Sequence, residues 1–183
     1  MAGNQLHENL QKLQQWVDFA EGKDVAPSLV VRVDGRLVTI GSAGLQRIAA
    51  MRADQTDMVR AEVRHIIRQL AAGDHAVTVF PPRVGYLLIR HTTPARQQGV
   101  SVTIDGEQPR DMLVYLLVCL LKTVALDHLR LCPAADCGKA FVKVTKKRYC
   151  SSTCQSRDYM RTFRAKEKAE RDAFLRKGSR VRR

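Results

Sequence analysis

"LCPAADCGKAFVKVTKKRYCSSTCQSRDYMRTFR", residues 131–164, holds four of the chain's five cysteines among runs of lysine and arginine. The spacing Cys132-x4-Cys137-x12-Cys150-x3-Cys154 sets two close pairs about a hairpin's length apart. A tetrahedral four-thiolate zinc site needs this pattern, because each pair bites the ion from a tight turn while the chain between them folds back. Pro133 and Gly138 suit the first turn: proline fixes φ, and glycine permits the bend after the second ligand. Phe141, Val142 and Val144 are expected to form the outgoing strand, and "TKKR" (residues 145–148) a polar tip. "CSSTC" then opens a helix whose first-turn N–H groups can donate to thiolate sulfur.

The other chemistries open to cysteine fit less well. Disulfides require an oxidising compartment, and the start "MAGNQLHENLQKLQQWVDF" has neither the basic nor the apolar region of a secretory signal. A catalytic zinc keeps an open position with histidine and an acidic base nearby, whereas none of the five histidines lies beyond His128. A redox pair would more often read C-x-x-C, which is absent. The expectation is one structural zinc ion held by Cys132, Cys137, Cys150 and Cys154. It would staple a segment too poor in apolar side chains to fold alone. Cys119 sits in an apolar run and reads as a small buried hydrophobe.

Length and charge frame this segment. The 183 residues suffice for one core and a small appendage. Of 31 Lys and Arg, 16 fall in residues 132–183 against 5 acidic residues, while residues 1–131 hold 15 against 13. A near-neutral body therefore carries a cationic C-terminal piece, and such a surface attracts a polyanion, most often nucleic acid.

Along the body, Leu6, Leu10, Leu13, Val17 and Ala20 form the stripe of an amphipathic helix that ends at Glu21-Gly22-Lys23. "SLVVRVDGRLVTIG" reads as a β-hairpin turning at Asp34-Gly35. Residues 45–72 are helical in pattern, with Val59, Val63, Ile66, Ile67 and Leu70 on one face, a break near 54–57 and Gly73 as the stop. "HAVTVF", "VGYLLIRH" and "VSVTID" read as three further strands. Asp111 is the expected cap of a helix over 112–131. Its unbroken apolar run of ten residues is interrupted by Lys122, too short for the roughly 18 or more of a membrane span. The fold class is α+β: a helix and antiparallel-sheet body over 1–130, a four-Cys finger with a basic helix over 131–177, and a disordered basic arm over 178–183.

If the chain stays helical from Cys154, then Arg157, Arg161, Arg164, Lys168 and Arg171 fall within an arc of about 80° and make a cationic ridge. Few acidic residues precede Glu167, so the ridge is not neutralised along its first half. Tyr159, Met160, Phe163 and Phe174 lie on an adjacent arc and are expected to pack on the finger or the body. Lys146, Lys147 and Arg148 at the tip add cations that can reach a nucleic-acid backbone.

The segment "LRLCPAADCGKAFVKVTKKRYCSSTCQSRDYMRTFRAK" resembles the CGNR zinc-finger family of bacterial proteins, in which a C-terminal finger follows an α+β domain called ABATE. Cys132, Cys137, Cys150 and Cys154 fall on that family's zinc ligands, and Arg157 on the final arginine of its name motif. Cys154-Gln155-Ser156-Arg157 stands where the family has Cys-Gly-Asn-Arg, which marks a divergent member. The resemblance implies a DNA-binding transcription regulator. "YCSSTCQSRDY" is also similar to half of a MYND finger, but no second set of ligands follows Cys154.

Together these readings give a cytoplasmic, nucleoid-associated DNA-binding protein whose body senses a ligand or forms a homodimer. An adaptor for an acidic protein partner and an RNA-binding protein are the alternatives; the latter calls for stacking aromatics, and the candidates Phe141, Tyr149, Tyr159 and Phe163 all have a packing role available. No enzyme is expected, since His65, Asp74, His75 and His91 have no catalytic spacing.

Overall fold

The N-terminal stripe forms α1 (Ala2–Ala20), which buries Leu10, Leu13, Trp16, Val17 and Ala20, while Leu6 is exposed. The structure is a computed structural model and describes residues 2–33, 36–73, 83–92, 98–144 and 146–180. The Asp34-Gly35 turn and the strand expected over 75–80 lie outside the described residues. The strands it flanks are β1 (Val30–Val33) and β2 (Arg36–Ile40), antiparallel with Val31 opposite Val38.

Two helices follow, α2 (Ser42–Ala49) and α3 (Ala53–Ala72), so the break falls at residues 50–52, slightly earlier than expected. Arg52 sets the new start by donating its N–H to the Gln55 side chain. Gly73 ends α3 at φ +94, where its N–H reaches the Gln69 and Leu70 carbonyls. Next come β3 (Gly85–Thr92) and β4 (Gln98–Asp105), also antiparallel.

The strand order is β1-β2-β4-β3, and β2 pairs β4 in parallel, Val38 opposite Val102. The sheet is therefore mixed rather than wholly antiparallel as expected. The α2–α3 crossover supplies the long connection that a parallel neighbour requires, and local hairpin signals cannot reveal it.

The apolar run becomes α4 (Pro109–Leu121), in contact with β1 and all three preceding helices, with Met112, Leu113, Val114, Leu116, Leu117 and Leu120 almost wholly buried. It is a core helix, and no helix among the described residues is long and apolar enough to cross a membrane. Pro109, with φ preset, starts it. Asp111 is thus not the cap. It is buried inside the first turn, accepting the Arg83 N–H and pairing with Arg110.

The helix also stops ten residues before the expected end. Thr123 turns its N–H and hydroxyl to the Leu120 carbonyl, and a short 3-10 turn (Leu126–His128) leads into β5 (Leu129–Leu131).

Strand β5 pairs with β6 (Ala140–Val142), Leu129 opposite Val142 and Leu131 opposite Ala140. This hairpin lies against α1 and α3, and Leu129, Ala140 and Val142 belong to the body's core. The expected finger is therefore joined to the body through a shared core. The outward N–H groups of β6 are satisfied by α1: Val142 donates to Gln14 and Ala140 to Glu21, which also holds Arg68.

Truncating the shared strand is expected to weaken both parts together. Leu129→Ala should lower unfolding free energy by about 2–5 kcal/mol. Fluorescence of the single tryptophan, Trp16, and thiol exposure in the finger should shift to lower urea in one coincident transition.

Candidate metal centre

Strand β5 delivers Cys132 directly. Its N–H donates to the Lys139 carbonyl at 2.8 Å and the Cys137 N–H to the Ala134 carbonyl at 2.9 Å, closing a knuckle. Gly138 occupies φ +57, a left-handed conformation that side chains resist. The returning strand is β6, so Phe141 and Val142 lie in it, and Val144 lies beyond it and is exposed.

Cys150 and Cys154 approach from the far side, where α5 (Ser152–Arg180) begins. Ser151 caps this helix by accepting the Cys154 N–H at 3.2 Å. The Tyr149 hydroxyl donates to Asp158 at 2.7 Å and ties the approach segment to the second turn.

The four sulfur atoms lie within 4.8 Å of one another, with Cys137–Cys150 and Cys150–Cys154 both at 3.5 Å. All four cysteines are free thiols. A tetrahedron with Zn–S of about 2.3 Å places its sulfurs about 3.8 Å apart, so the cluster is close to the size the ion requires and small side-chain shifts complete it. Phe141 packs against Cys132, Ala134 and Cys154 and forms a small second core around the thiols. The only histidine close in sequence, His128, engages the Lys143 carbonyl with its ring. The residues fit one closed four-thiolate zinc site, and zinc bound there would supply cross-linking rather than an open coordination position.

Burial pushes the Cys137 thiol up and Cys150 up to about 12, with neighbouring thiols adding to the latter. The Ser151 hydroxyl, aided by the Cys150 thiol, brings Cys154 down to about 7. Cys154 therefore ionises readily, whereas Cys137 and Cys150 give up their protons to metal.

Helix α5 continues the charge pattern outward. Arg157, Arg161, Arg164, Lys168 and Arg171 are all exposed and none forms an ion pair among the described residues. Lys146, Lys147 and Arg148 are exposed at the tip, with Lys147 over the Phe141 ring at 5.9 Å and Arg148 over Tyr149 at 6.0 Å. The two cationic sets meet only at Lys147 and Arg157, which line one cavity beside the thiols. The tip borders the α5 face bearing Ser152, Gln155 and Tyr159, whereas Tyr159 stands about 160° around the helix from Arg157.

Two expectations change here. Tyr159, Met160 and Phe163 are exposed rather than packed on the body, because α5 leaves the finger after its second turn. The side chain of Phe174 lies outside the described residues. The helix also runs through Arg180, three residues into the stretch expected to be a disordered arm. Helix propagation adds a hydrogen bond per residue and outweighs the roughly 1 kcal/mol cost of Gly178. Of the residues set aside as non-catalytic, His65 is exposed on α3, Asp74 and His75 lie outside the described residues, and His91 falls in β3.

The Tyr149–Asp158 clasp and the Gln14 and Glu21 contacts to β6 have no motif in the sequence. Only the nine-residue separation of an aromatic and an acid across Cys150 and Cys154 hints at the first.

Zinc should bind at one ion per chain, and Cys150→Ser should abolish stoichiometric zinc by elemental analysis. Binding displaces the protons of Cys137 and Cys150 at neutral pH, and that of Cys154 as well below about pH 7. Affinity should therefore rise with pH, and more steeply below about pH 7 than above it, as read by competition with a chromophoric chelator.

No curated protein and no solved structure matches the chain. Residues 128–167 match the family model described as CGNR zinc finger, a stretch that begins at the end of the 3-10 turn, includes all four thiols and ends within α5. The chain thus carries a CGNR zinc finger, built onto an α+β body through their common hairpin.

Proposed function

We propose that this is a DNA-binding protein acting in transcription regulation, with an ABATE-like body in front of the finger. In this reading the zinc site fixes the start and direction of α5, whose ridge lies along a phosphate backbone. The observation that carries it is the state of the cations. In the body, Arg47, Arg68 and Arg110 pair with Asp105, Glu21 and Glu62, whereas the five cations of the α5 ridge are exposed and form no ion pair among the described residues. Unpaired, regularly spaced guanidinium groups on one helix face suit repeated phosphates better than scattered carboxylates do. A helix about 10–12 Å across is also the element that the major groove of duplex DNA admits.

No catalytic role is proposed. The sulfur cluster has no open coordination position once four thiolates are engaged. A ligand-sensing or dimerising body and a cytoplasmic location belong to the same proposal.

Duplex affinity should fall steeply with salt. Replacing Arg157 and Arg161 together with alanine should reduce the slope of log K against log salt by about 2, one unit for each lost phosphate contact. Fluorescence anisotropy across a salt series measures both. Absence of duplex binding by the zinc-loaded protein at low salt would overturn the proposal.

A further inference from the structure

Between the tip and the first turns of α5 lies an open groove of about 920 Å³. Its size is that of a small-molecule site, for which about 300–1,000 Å³ is usual. Lys146, Lys147 and Arg148 form one wall, and Tyr159 and Met160 stand on the other. Tyr159 is 68% exposed and Met160 44%, so neither is occupied by packing within the described chain. The single carboxylate on the lining, Asp158, already accepts the Tyr149 hydroxyl. The groove therefore offers three cations for phosphate and an aromatic face beside an apolar one, a combination that recognises a nucleotide whose base is out of its stack.

Tyr159 stands about 160° around α5 from Arg157, whereas Met160 borders both this groove and the surface of Arg157, Arg161 and Arg164. A base on Tyr159 and a backbone on the ridge therefore occupy different faces that meet at Met160. Duplex phosphates satisfy the ridge alone, because paired bases present no free face to Tyr159.

We infer that this groove holds an unstacked nucleotide, giving the protein a single-strand site on α5 beside its phosphate ridge. The inference rests on the nucleic-acid reading of the finger and specifies which form of the polymer this face takes. Tyr159 stacks on the base while the tip cations hold the adjoining phosphates.

The test uses the full, zinc-loaded chain with labelled oligothymidine, oligouridine and a duplex of equal length. Tyr159→Ala should weaken both single strands about 10-fold and leave duplex affinity unchanged, while Tyr159→Phe, which keeps the ring, should retain single-strand affinity. A stronger oligothymidine signal would identify the natural strand as DNA, a stronger oligouridine signal as RNA, and either supports the site.

Equal losses on single strand and duplex, a silent Tyr159→Ala, or duplex binding without single-strand binding would overturn the groove alone. So would displacement of the oligonucleotide by a polyglutamate peptide that binds wild type and Tyr159→Ala alike. Failure to bind any nucleic acid would overturn the nucleic-acid reading as well. Because Tyr159 is exposed, the substitution removes no core contact, and an unchanged urea midpoint verifies this.

Discussion

The two-residue alternation of β6 governs how this molecule is assembled. Ala140 and Val142 point into the body's core with Leu129, while Phe141, between them, points the other way into the thiol cluster. One three-residue strand therefore contributes to two cores at once. Its outer N–H groups would be costly to leave bare, and Gln14 and Glu21 of α1 meet them. The finger is consequently indexed to the body by packing on one face and by hydrogen bonds on one edge.

From that hairpin, position is passed outward in short steps. Cys132 follows β5 without a linker, the knuckle returns the chain through Cys137, and the second cysteine pair brackets the Ser151 cap. The Tyr149–Asp158 hydrogen bond then sets the direction of α5 relative to the thiols. Beyond Asp158 the described side chains of the helix are exposed, so its outer turns rest on intrinsic propensity and local pairs such as Lys166–Glu170. A helix of this kind is stabilised further when an anionic surface neutralises its ridge.

Electrostatics divide along the same line. The body's arginines hold elements together: Arg64 reaches the Ala20 carbonyl at the end of α1, Arg68 grips Glu21, and Arg110 joins α4 to Glu62 of α3. The finger's cations make two cation–π contacts and leave the α5 ridge without partners among the described residues. The charge excess of the C-terminal piece is thus presented outward.

Features set by neighbours in sequence were legible in it: the four ligands, whose spacing records two tight turns; the stripe of α1; the Gly73 stop; and the ridge from Arg157, a consequence of helical period alone. Features set by distant neighbours were not. Leu126 and Leu129 extend the helical pattern of α4 equally well, and only pairing with β6 makes residues 129–131 a strand. Asp111 has the chemistry of a cap, but the helix starts two residues earlier at Pro109, and the Asp111 carboxylate instead accepts the distant Arg83 N–H. The parallel β2–β4 pairing, the fusion of finger and body, and the exposure of Tyr159 each depend on where a remote element lies. Local residue order determined the metal cluster and the charged helix. Tertiary packing decided how that cluster is anchored and which face of the helix remains open, because burial is a property of the assembled chain and not of any segment of it.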